Sequence, residues 1–406
     1  MKKIVIFSSY GGGGHTAVAN ALSGYLQNDY EIVTVNVFSE VLAPLDLMQT
    51  ISFKRKTGED IYNFLMPRKC YRLLNVYYRL GVVYYKYRQT KVRNLIRAHL
   101  EKHKPDIAIS VIPVINDHIL AVTQEMNLPF LLIPTDLDIT TFVENIKAPT
   151  YDQFKIALAF EDDEARIRLA ENQISMDKSL VTGFVIRPDF FEHKDIAALK
   201  KEFNVPEGKP VILLLLGAVG LQSLYDFTKE LAKVESPAHI IICTSRQSIM
   251  KKNIDSLKFP PHITKTTIGF TQRISDLMAI SDLFITKSGS VSVCEAIYMN
   301  LPMILDATTN LLAWEQANHR FIKRHNFGTI VQEQNKLAQI VTKLLKNPEM
   351  CHEYKKHLQS LEKKQGGIEI AHLVEAMVRS PIKVIQKIKA KKRDPKRVAY
   401  EKSSHF

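Results

Sequence analysis

Cysteine is scarce in this 406-residue chain, and long apolar runs are missing from it. The four cysteines, Cys70, Cys243, Cys294 and Cys351, are far apart and form neither a CxxC pair nor a zinc-type pattern with histidine. This spacing excludes a small disulfide scaffold and favours free thiols in a reducing compartment. No run approaches the roughly 18 apolar residues of a membrane-spanning helix, and the apolar start Ile4–Phe7 is too short for a signal peptide. Any membrane contact is therefore expected to be peripheral.

The composition is otherwise that of an ordinary globular protein. Apolar residues make up 46% of the chain and charged residues 24%, which excludes wholesale disorder and collagen-like repeats. A length of 406 residues favours two or three domains over a single core. Lysine and arginine total 55 against 42 acidic residues, a formal net charge of +13. This excess favours an anionic partner, such as a phosphorylated ligand, an anionic membrane or a nucleic acid.

Short apolar runs of strand length alternate with helical stretches along most of the chain. The runs are continuously apolar, which predicts parallel strands that are buried on both faces. The alternation occurs twice, so the predicted fold class is α/β, with two doubly wound domains that meet near residues 186–209. The predicted strands are residues 3–8, 31–37, 107–111, 129–133, 155–160 and 179–184 in the first half, and 211–216, 239–243, 283–286 and 303–305 in the second.

Two basic regions interrupt this pattern. Residues 54–104 carry 14 lysines and arginines against three acidic residues, together with seven of the chain's 15 tyrosines. The tail, residues 380–406, carries nine basic residues against two acidic ones. Positive charge is therefore localised, which indicates a surface with a function. The alternatives are a solvated basic face over packed aromatic residues for the first region and simple disorder for the tail.

The first basic region is predicted to dock on anionic lipid. Gly81 weakens the prediction of one unbroken helix across this region. Four tyrosines are expected at the lipid interface, where an aromatic ring with a polar tip is favoured: Tyr77, Tyr78, Tyr84 and Tyr85. Four basic residues recur every seven positions and would form one stripe facing the head groups: Arg72, Arg79, Lys86 and Arg93.

A glycine-rich loop follows the first predicted strand and opens a helix. Glycines allow backbone N–H groups to approach a ligand closely, and a helix N-terminus favours an anionic or polar group. A P-loop is excluded because His15-Thr16 follows the glycines where Lys-Ser/Thr is required. A dinucleotide site is disfavoured because the second strand leads to Asn36 rather than to an acidic residue. The loop glycines are Gly11, Gly12, Gly13 and Gly14.

His15 is the candidate catalytic residue of this loop. A histidine in the first turn of a helix has its charged form disfavoured by the helix dipole. It should therefore stay neutral near pH 7 and be able to accept a proton. The alternative is a loop histidine that only caps or packs.

A second strand–turn–helix unit lies in the second half of the chain. Lys287–Ser290 forms a turn of small residues before a helix, which suits a phosphate group. Glu295 lies about 1.5 turns into that helix, within reach of the ribose hydroxyls of a nucleotide bound at the turn. Glu315, Gln316 and Asn318 lie at the start of a later helix, and their polar side chains suit sugar hydroxyls. For Glu295 alone, the alternative is a solvent-facing acidic residue.

Taken in their order along the chain, these motifs resemble those of the monogalactosyldiacylglycerol synthase-like and processive diacylglycerol glycosyltransferases. They resemble more distantly the UDP-N-acetylglucosamine transferase that makes lipid II. The resemblance covers roughly residues 1–345, and its matching segments are Gly11–His15, Thr135–Leu137, Gly183–Pro188, Ile268–Phe270, Thr286–Glu295, Leu301–Pro302 and Glu315–Gln316.

The resemblance implies a GT-B fold, in which two Rossmann-like domains face each other across a cleft. Residues 1–185, including the insert 54–104, would bind the lipid acceptor, and residues 186–365 would bind the UDP-sugar. Residues 366–379 would form a helix that crosses back to the first domain, followed by the tail 380–406. No cofactor and no metal ion are expected, because helix dipoles and backbone N–H groups would stabilise the leaving diphosphate. The expected location is the cytoplasmic face of a membrane, with peripheral attachment.

The resemblance also implies roles for individual residues. His15 would be the general base or an acceptor-site residue, with Asp136 as the second candidate base, and the loop glycines would lie on the acceptor side. Glu295 would bind the ribose. The remaining donor contacts would come from Gly269 and Phe270 at the uracil, Ser288, Gly289 and Ser290 at the diphosphate, and Glu315 and Gln316 at the hexose.

The function implied is inverting transfer of a hexose from a UDP-sugar to the hydroxyl of diacylglycerol or a related glycolipid. One alternative within the same fold is another lipid-linked acceptor, such as a polyprenyl-diphosphate sugar. An inactive pseudoenzyme is also an alternative, since the turns at residues 217–220, 244–247 and 287–290 differ from the family pattern. A nucleic-acid-binding protein is disfavoured, because no RNP, KH or zinc-finger signature is visible and two nucleotide-type turns would be unexplained.

Overall fold

The structure is a computed structural model, and it describes residues 1–379 except 12, 47, 50–55, 67, 69, 218–220, 247, 310–311 and 313–314. The loop residue Gly12, the basic tail and most of the divergent turn at residues 217–220 lie outside the described residues. In the described part, two parallel sheets of six strands each form the two halves of the molecule, and the predicted α/β fold class is confirmed.

The first sheet has the strand order β2-β1-β3-β4-β5-β6, and every pairing in it is parallel. Most of its strand residues are buried because helices cover both faces, as continuous apolar runs predict. The strands are β1 (Lys2–Ser8), β2 (Tyr30–Asn36), β3 (Ile107–Ser110), β4 (Phe130–Leu132), β5 (Phe154–Leu158) and β6 (Ser179–Val181).

The second sheet has the order β12-β11-β10-β7-β8-β9, the strand order of a dinucleotide-type doubly wound fold. Its two edge strands, β9 and β12, were not predicted. Edge strands are only partly buried here, so Thr and Lys in β9 and the short run in β12 lack the continuous apolar pattern. The strands are β7 (Val211–Leu215), β8 (Ala238–Cys243), β9 (Ile263–Ile268), β10 (Leu283–Thr286), β11 (Met303–Asp306) and β12 (Gly328–Val331).

Helices connect the strands and cover the sheets. In the first half they are α1 (Gly14–Leu26), α2 (Gly58–Leu65), α3 (Tyr71–Tyr87), α4 (Gln89–His103), α5 (Asn116–Glu125), α6 (Thr140–Val143) and α7 (Asp163–Glu171). In the second half they are α8 (Ile196–Glu202), α9 (Leu221–Leu231), α10 (Ser248–Asp255), α11 (Ile274–Ala279), α12 (Ser290–Tyr298), α13 (Glu315–Arg324), α14 (Leu337–Lys346), α15 (Pro348–Ser360) and α16 (Gly366–Arg379).

The two halves are joined by a shared apolar core and by the last described helix. One buried cluster includes residues of both sheets, from Ile4 in β1 to Met303 in β11. Helix α16 packs against α1 and β3 of the first half, and Lys2 Nζ donates a 2.9 Å hydrogen bond to Val378 O. Tyr298 on α12 ties the connection from β6 to the end of the second half, because its hydroxyl accepts from Phe184 N and donates to Lys364 O. This packing fixes the positions of the two halves on either side of the cleft.

The insert differs from its prediction in two respects. The single helix that one basic stripe requires is broken at Arg88 and not at Gly81, so Arg93 lies on α4 and is not part of one stripe with the basic residues of α3. The four tyrosines that are predicted to lie at a lipid interface are partly buried against the protein. Tyr78 Oη donates to Glu144 Oε1 at 3.1 Å and Tyr84 Oη donates to Leu45 O at 3.2 Å. Two further side chains of this group are partly buried, Tyr77 beside Gly58 and Tyr85 against the core of the first half.

Candidate active site

Two strand–turn–helix units face each other across the cleft between the halves. The first joins β1 to α1, and Gly13 precedes the helix with φ of 82°, a left-handed conformation that favours glycine. The second joins β10 to α12, which begins directly after Gly289. A Cβ atom placed on Gly14 would lie 3.8 Å from Val291 Cγ2, so the two helix N-termini are in contact. Side chains from both turns therefore meet at the carboxyl ends of the two sheets, where ligands bind in this class of fold.

His15 is held in one tautomer by the first half of the molecule. Its Nδ1 lies 2.9 Å from Val111 O and 2.8 Å from Thr135 Oγ1. Because a carbonyl oxygen only accepts hydrogen bonds, Nδ1 carries the hydrogen and Nε2 keeps its lone pair. Burial lowers the pKa of His15 to about 4, and the bond to Val111 and the charge of Glu59 oppose this shift. The imidazole is therefore a neutral proton acceptor at pH 7.

Asp136 directly follows Thr135, whose hydroxyl contacts His15, so the two candidate bases are neighbours. Its Oδ1 accepts a 2.7 Å hydrogen bond from Ser290 Oγ across the cleft. Burial raises the pKa of Asp136 to about 6, and the bond from Ser290 opposes the rise. The carboxylate is therefore mostly ionised at pH 7, but it is already bound to the second turn. This hydrogen bond to the second turn distinguishes Asp136 from His15.

The two serines of the second turn are engaged by the protein. Ser288 is 1% exposed, and its hydroxyl pairs with His319 Nε2. The Ser290 hydroxyl, besides its bond across the cleft, accepts a 3.0 Å hydrogen bond from Asn318 Nδ2. The contact of these two serines with a diphosphate therefore stays a prediction, and in this structure both hydroxyls have protein partners. The turn presents instead the exposed Gly289 and the free N–H groups of the first turn of α12.

Glu295 lies on α12 and lines a cavity of about 480 Å³ between the halves. The other walls of the cavity come from α1 and from the connection that carries Arg187 and Asp189. Burial raises the pKa of Glu295 to about 8, with Arg187 opposing the rise and Asp189 adding to it. The carboxyl group is thus mostly protonated at pH 7, so it offers a neutral hydrogen-bonding group rather than a charged one.

Arg187 connects this cavity to the loop that follows β9. Its Nη1 donates a 2.9 Å hydrogen bond to Gln272 O in that loop. In the same loop Phe270 is 56% exposed, and the Arg246 guanidinium carbon lies 4.3 Å from the centre of its ring. With Gly269 beside it, this stacked pair offers a flat face for a planar ring next to the cavity.

Glu315 and Gln316 begin α13, as the sequence predicts. The Glu315 carboxylate accepts a 3.2 Å hydrogen bond from Leu312 N, and burial raises its pKa. The charges of Lys287 and Asp136 both act on this carboxyl group, which places it close to the second turn and to Asp136. The Gln316 side chain is exposed.

Asn318, which the sequence assigns to sugar hydroxyls, instead holds the second turn through the Ser290 hydroxyl. Sequence reasoning missed two residues that shape the site. His319 pairs with Ser288, and its place one turn into a helix with Glu315 is a signal that could have indicated it. The other is Glu59, a buried carboxylate whose partners are distant in sequence, so no local pattern reveals it. Glu59 Oε1 accepts from Ser9 Oγ at 2.6 Å and from Tyr10 N at 2.8 Å, directly before the glycine loop.

Helices α2 and α3 form an arm, the name used below for these two helices, beside the first turn. Helix α3 contains no acidic residue, and its basic residues Arg72, Arg79 and Lys86 are exposed. Next to them, side chains spaced three and four positions apart share one outward face of α3. We call this face the apolar stripe; its members and exposed fractions are Leu73 (54%), Val76 (52%), Leu80 (63%) and Val83 (65%).

Among the described residues, none of the helices is long and apolar enough to cross a bilayer. In that same part of the chain, no group of three or more His, Cys, Asp or Glu residues is arranged to hold a metal ion.

Comparison with known proteins identifies the fold. Residues 211–373 match the model of the glycosyltransferase family 28 C-terminal domain. The chain superposes on the crystal structure of Acinetobacter baumannii MurG with a TM-score of 0.57 and 14% identity, covering 92% of this chain and 99% of that chain. It superposes on glycosyltransferase VinC in complex with dTDP with a TM-score of 0.52 and 13% identity, covering 93% and 100%. The fold is therefore GT-B, the two-domain fold of glycosyltransferases, as the sequence resemblance implies.

Curated relatives show which glycosyltransferases the chain resembles in sequence. The chain is 24% identical over 376 residues to the processive diacylglycerol beta-glucosyltransferase of Bacillus subtilis (strain 168), covering 89% of this chain and 91% of the relative. It is 25% identical over 377 residues to the enzyme of the same name from Staphylococcus haemolyticus (strain JCSC1435), covering 91% and 90%. The resemblance to processive diacylglycerol glycosyltransferases drawn from the sequence is thus confirmed over nearly the full length.

Proposed function

We propose that this protein transfers a hexose from a UDP-sugar to the hydroxyl group of diacylglycerol, with inversion at the anomeric carbon. The observation that carries the proposal is the meeting of the two turns, one offering a neutral histidine and the other a helix N-terminus, across a cleft of the GT-B fold. The names of the similar proteins support diacylglycerol as acceptor and make glucose the first sugar to test.

The donor is assigned to the second half of the molecule. The nucleoside would occupy the cavity of about 480 Å³, with its ribose at Glu295 and its uracil against Phe270 and Gly269. The diphosphate would lie at the N-terminus of α12, where Gly289 leaves room and free N–H groups favour an anion. Glu315 and Gln316 would bind hydroxyls of the hexose. The proposed stabilisation of the leaving diphosphate uses these dipoles and not a metal ion.

The proposed chemistry is a direct displacement. The acceptor oxygen attacks the anomeric carbon from the face opposite UDP, a new C–O bond forms, and the bond from the anomeric carbon to the diphosphate oxygen breaks. His15 Nε2 takes the proton of the attacking hydroxyl, since its Nδ1 hydrogen is held by Val111 O. UDP leaves with the electron pair of the broken bond. Asp136 is the competing base and would first have to lose the hydroxyl of Ser290.

The proposed partner surface for the lipid is the apolar stripe with its flanking basic residues. An exposed apolar helix face beside cationic side chains favours the interface of an anionic bilayer. Three exposed basic residues, Arg72, Arg79 and Lys86, would each contribute about 1 kcal/mol near such a surface. This attachment is peripheral, and it replaces the interfacial role predicted for the four tyrosines.

The experiment that tests the function is a transfer assay with purified protein. Radiolabelled UDP-glucose, UDP-galactose or UDP-N-acetylglucosamine is incubated with vesicles that contain diacylglycerol, and the lipids are separated by chromatography. We expect a labelled glycolipid that requires diacylglycerol. Labelled product only with a polyprenyl-diphosphate sugar would contradict the acceptor, and no product with any donor would contradict the enzyme activity.

Membrane docking is tested by co-sedimentation with vesicles at low and high salt. The wild type should bind vesicles that contain anionic lipid more strongly than neutral ones. Replacement of Arg72, Arg79 and Lys86 by glutamine should weaken that preference, because about 3 kcal/mol of salt-sensitive attraction is removed. Lys201→Gln, an exposed lysine on α8 of the other half, is the matched control. Equal binding to both vesicle types would contradict the electrostatic part of the proposal.

A further inference from the structure

The arm makes an apolar contact with the opposite half of the molecule. Leu65 at the end of α2 and Leu74 on α3 bury their side chains against Leu312, which belongs to the connection between β11 and α13. Leu74 and Leu312 are each only 1% exposed. The helix that carries the apolar stripe on its outward face therefore reaches across the cleft with its inward face.

Leu312 is hydrogen-bonded to the first turn of α13. Its N–H donates to the Glu315 carboxylate at 3.2 Å, and its carbonyl oxygen accepts from Glu315 N at 3.0 Å and from Gln316 N at 3.3 Å. The position of Leu312 therefore fixes the two residues assigned to the hexose. A displacement of the arm contact would therefore shift these two residues on the donor side.

The other end of the arm is fixed to the first half. Glu59 on α2 accepts hydrogen bonds from Ser9 Oγ and Tyr10 N through one carboxylate oxygen, and from Asn36 Nδ2 at 2.9 Å through the other. A buried carboxylate with three donors holds its helix firmly in place. The arm is thus anchored in the first half, and its contact with Leu312 lies between the two halves.

Through these contacts the arm connects the apolar stripe with Leu312 and, through Leu312, with the two residues assigned to the hexose. We propose that docking of the apolar stripe on a lipid bilayer stabilises the arm in contact with Leu312 and thereby raises the affinity of the donor site for the UDP-sugar. The inference rests on the proposed function and adds a regulation to it. Because coupling between two sites is reciprocal, the UDP-sugar must also strengthen binding to the bilayer by the same factor.

The test measures binding and requires no turnover. The dissociation constant of UDP-glucose is measured by equilibrium dialysis for the full chain, alone and with vesicles of anionic and neutral phospholipid that lack diacylglycerol. We expect the vesicles to lower that constant about fivefold or more, the lower end of typical coupling between sites. The reciprocal measurement is the vesicle affinity with and without UDP-glucose, and this affinity should change by the same factor.

Variants separate the coupling from each binding event. Leu74→Ala should bind vesicles but lose the vesicle-dependent change in UDP-glucose affinity, whereas Leu74→Met, which conserves volume, should keep it. The pair Leu80→Ser and Val83→Ser should lose vesicle binding and the change together. Ile249→Ser, an exposed apolar residue on α10 of the other half, is the matched control and should behave as wild type.

Two results would overturn the inference. One is an unchanged UDP-glucose affinity while the wild type is demonstrably bound to vesicles. The other is a Leu74→Ala variant that keeps the full change. A protein that binds no UDP-sugar without vesicles or with them would instead contradict the proposed function, and the coupling with it, so the two failures are distinguishable.

Discussion

The turn after β1 and the turn after β10 are the same kind of element, yet the molecule uses them differently. Both follow a buried parallel strand, both open a helix, and both contain small residues. The first presents a side chain, because His15 projects from a glycine loop and is oriented by Val111. The second presents backbone, because its serines are paired within the protein. Local backbone determines where a ligand can bind, and side-chain partners determine what chemistry each turn supplies.

The strongest test of this division is His15→Ala. We expect turnover to fall by about 10²–10⁴, since a general base is lost, while UDP affinity stays near wild type because the donor binds the other turn. Steady-state kinetics and calorimetry with UDP measure the two quantities separately. His193→Ala, on the exposed connection between the halves, is the matched control. A variant that loses UDP binding as strongly as turnover would place His15 on the donor side.

The pH dependence of turnover sharpens the comparison between His15 and Asp136. A base works only when deprotonated, so the rate is lost as pH falls through the pKa of that base. With the pKa of His15 lowered to about 4, a histidine mechanism keeps roughly 90% of its rate at pH 5. With the pKa of Asp136 raised to about 6, a carboxylate mechanism keeps roughly 10% there. Normal turnover in Asp136→Asn would support His15. An inactive Asp136→Asn variant, together with a wild-type rate that is lost as the pH falls through 6, would contradict it.

Glu295 tests whether the second unit binds the nucleoside. Glu295→Ala should weaken UDP binding by about 0.5–1.5 kcal/mol at pH 7, the contribution of a neutral hydrogen bond, because the raised pKa keeps the group protonated. Glu295→Gln should lose less, since it resembles the protonated acid in shape. Calorimetry at pH 7 gives both values, with the exposed Glu235→Ala as control. Wild-type affinity in Glu295→Ala would remove this residue from the site.

The smallest effect is expected at Ser288. Its hydroxyl is paired with His319, so Ser288→Ala should change UDP affinity by no more than about 1 kcal/mol and should act mainly by lowering the melting temperature. Thermal unfolding and calorimetry separate these outcomes. A loss of UDP affinity by more than about 2 kcal/mol would show that the hydroxyl turns to the diphosphate when the donor binds, as the sequence resemblance implies.

The sequence predicts the fold well because its evidence is local. Continuous apolar runs mark the central strands, and glycine or small residues mark the turns at their ends. Strands β9 and β12 escape prediction because they are only partly buried and lack a continuous apolar run. Both turns of the site are found in the same way, since a strand, a small-residue turn and a helix are contiguous in the chain.

The parts of the site that depend on distant partners could not be predicted. The bond between Ser290 and Asp136 joins residues 154 positions apart, and Glu59 reaches its partners across 23 to 50 positions. The tyrosines of α3 show the same limit. Their composition fits a lipid interface, but the acceptors Glu144 and Leu45 turn Tyr78 and Tyr84 inward and leave aliphatic residues outside. Only the tertiary structure reveals which side of an amphipathic helix faces solvent.

The stereochemistry of the product tests the central claim most directly. If the base and the leaving diphosphate belong to opposite turns, the acceptor attacks from the face opposite UDP and the anomeric configuration inverts. Proton NMR of the purified glycolipid made from an α-linked UDP-hexose should therefore show a β-glycosidic anomeric proton. An α-linked product would contradict the assignment of base and donor to the two facing turns.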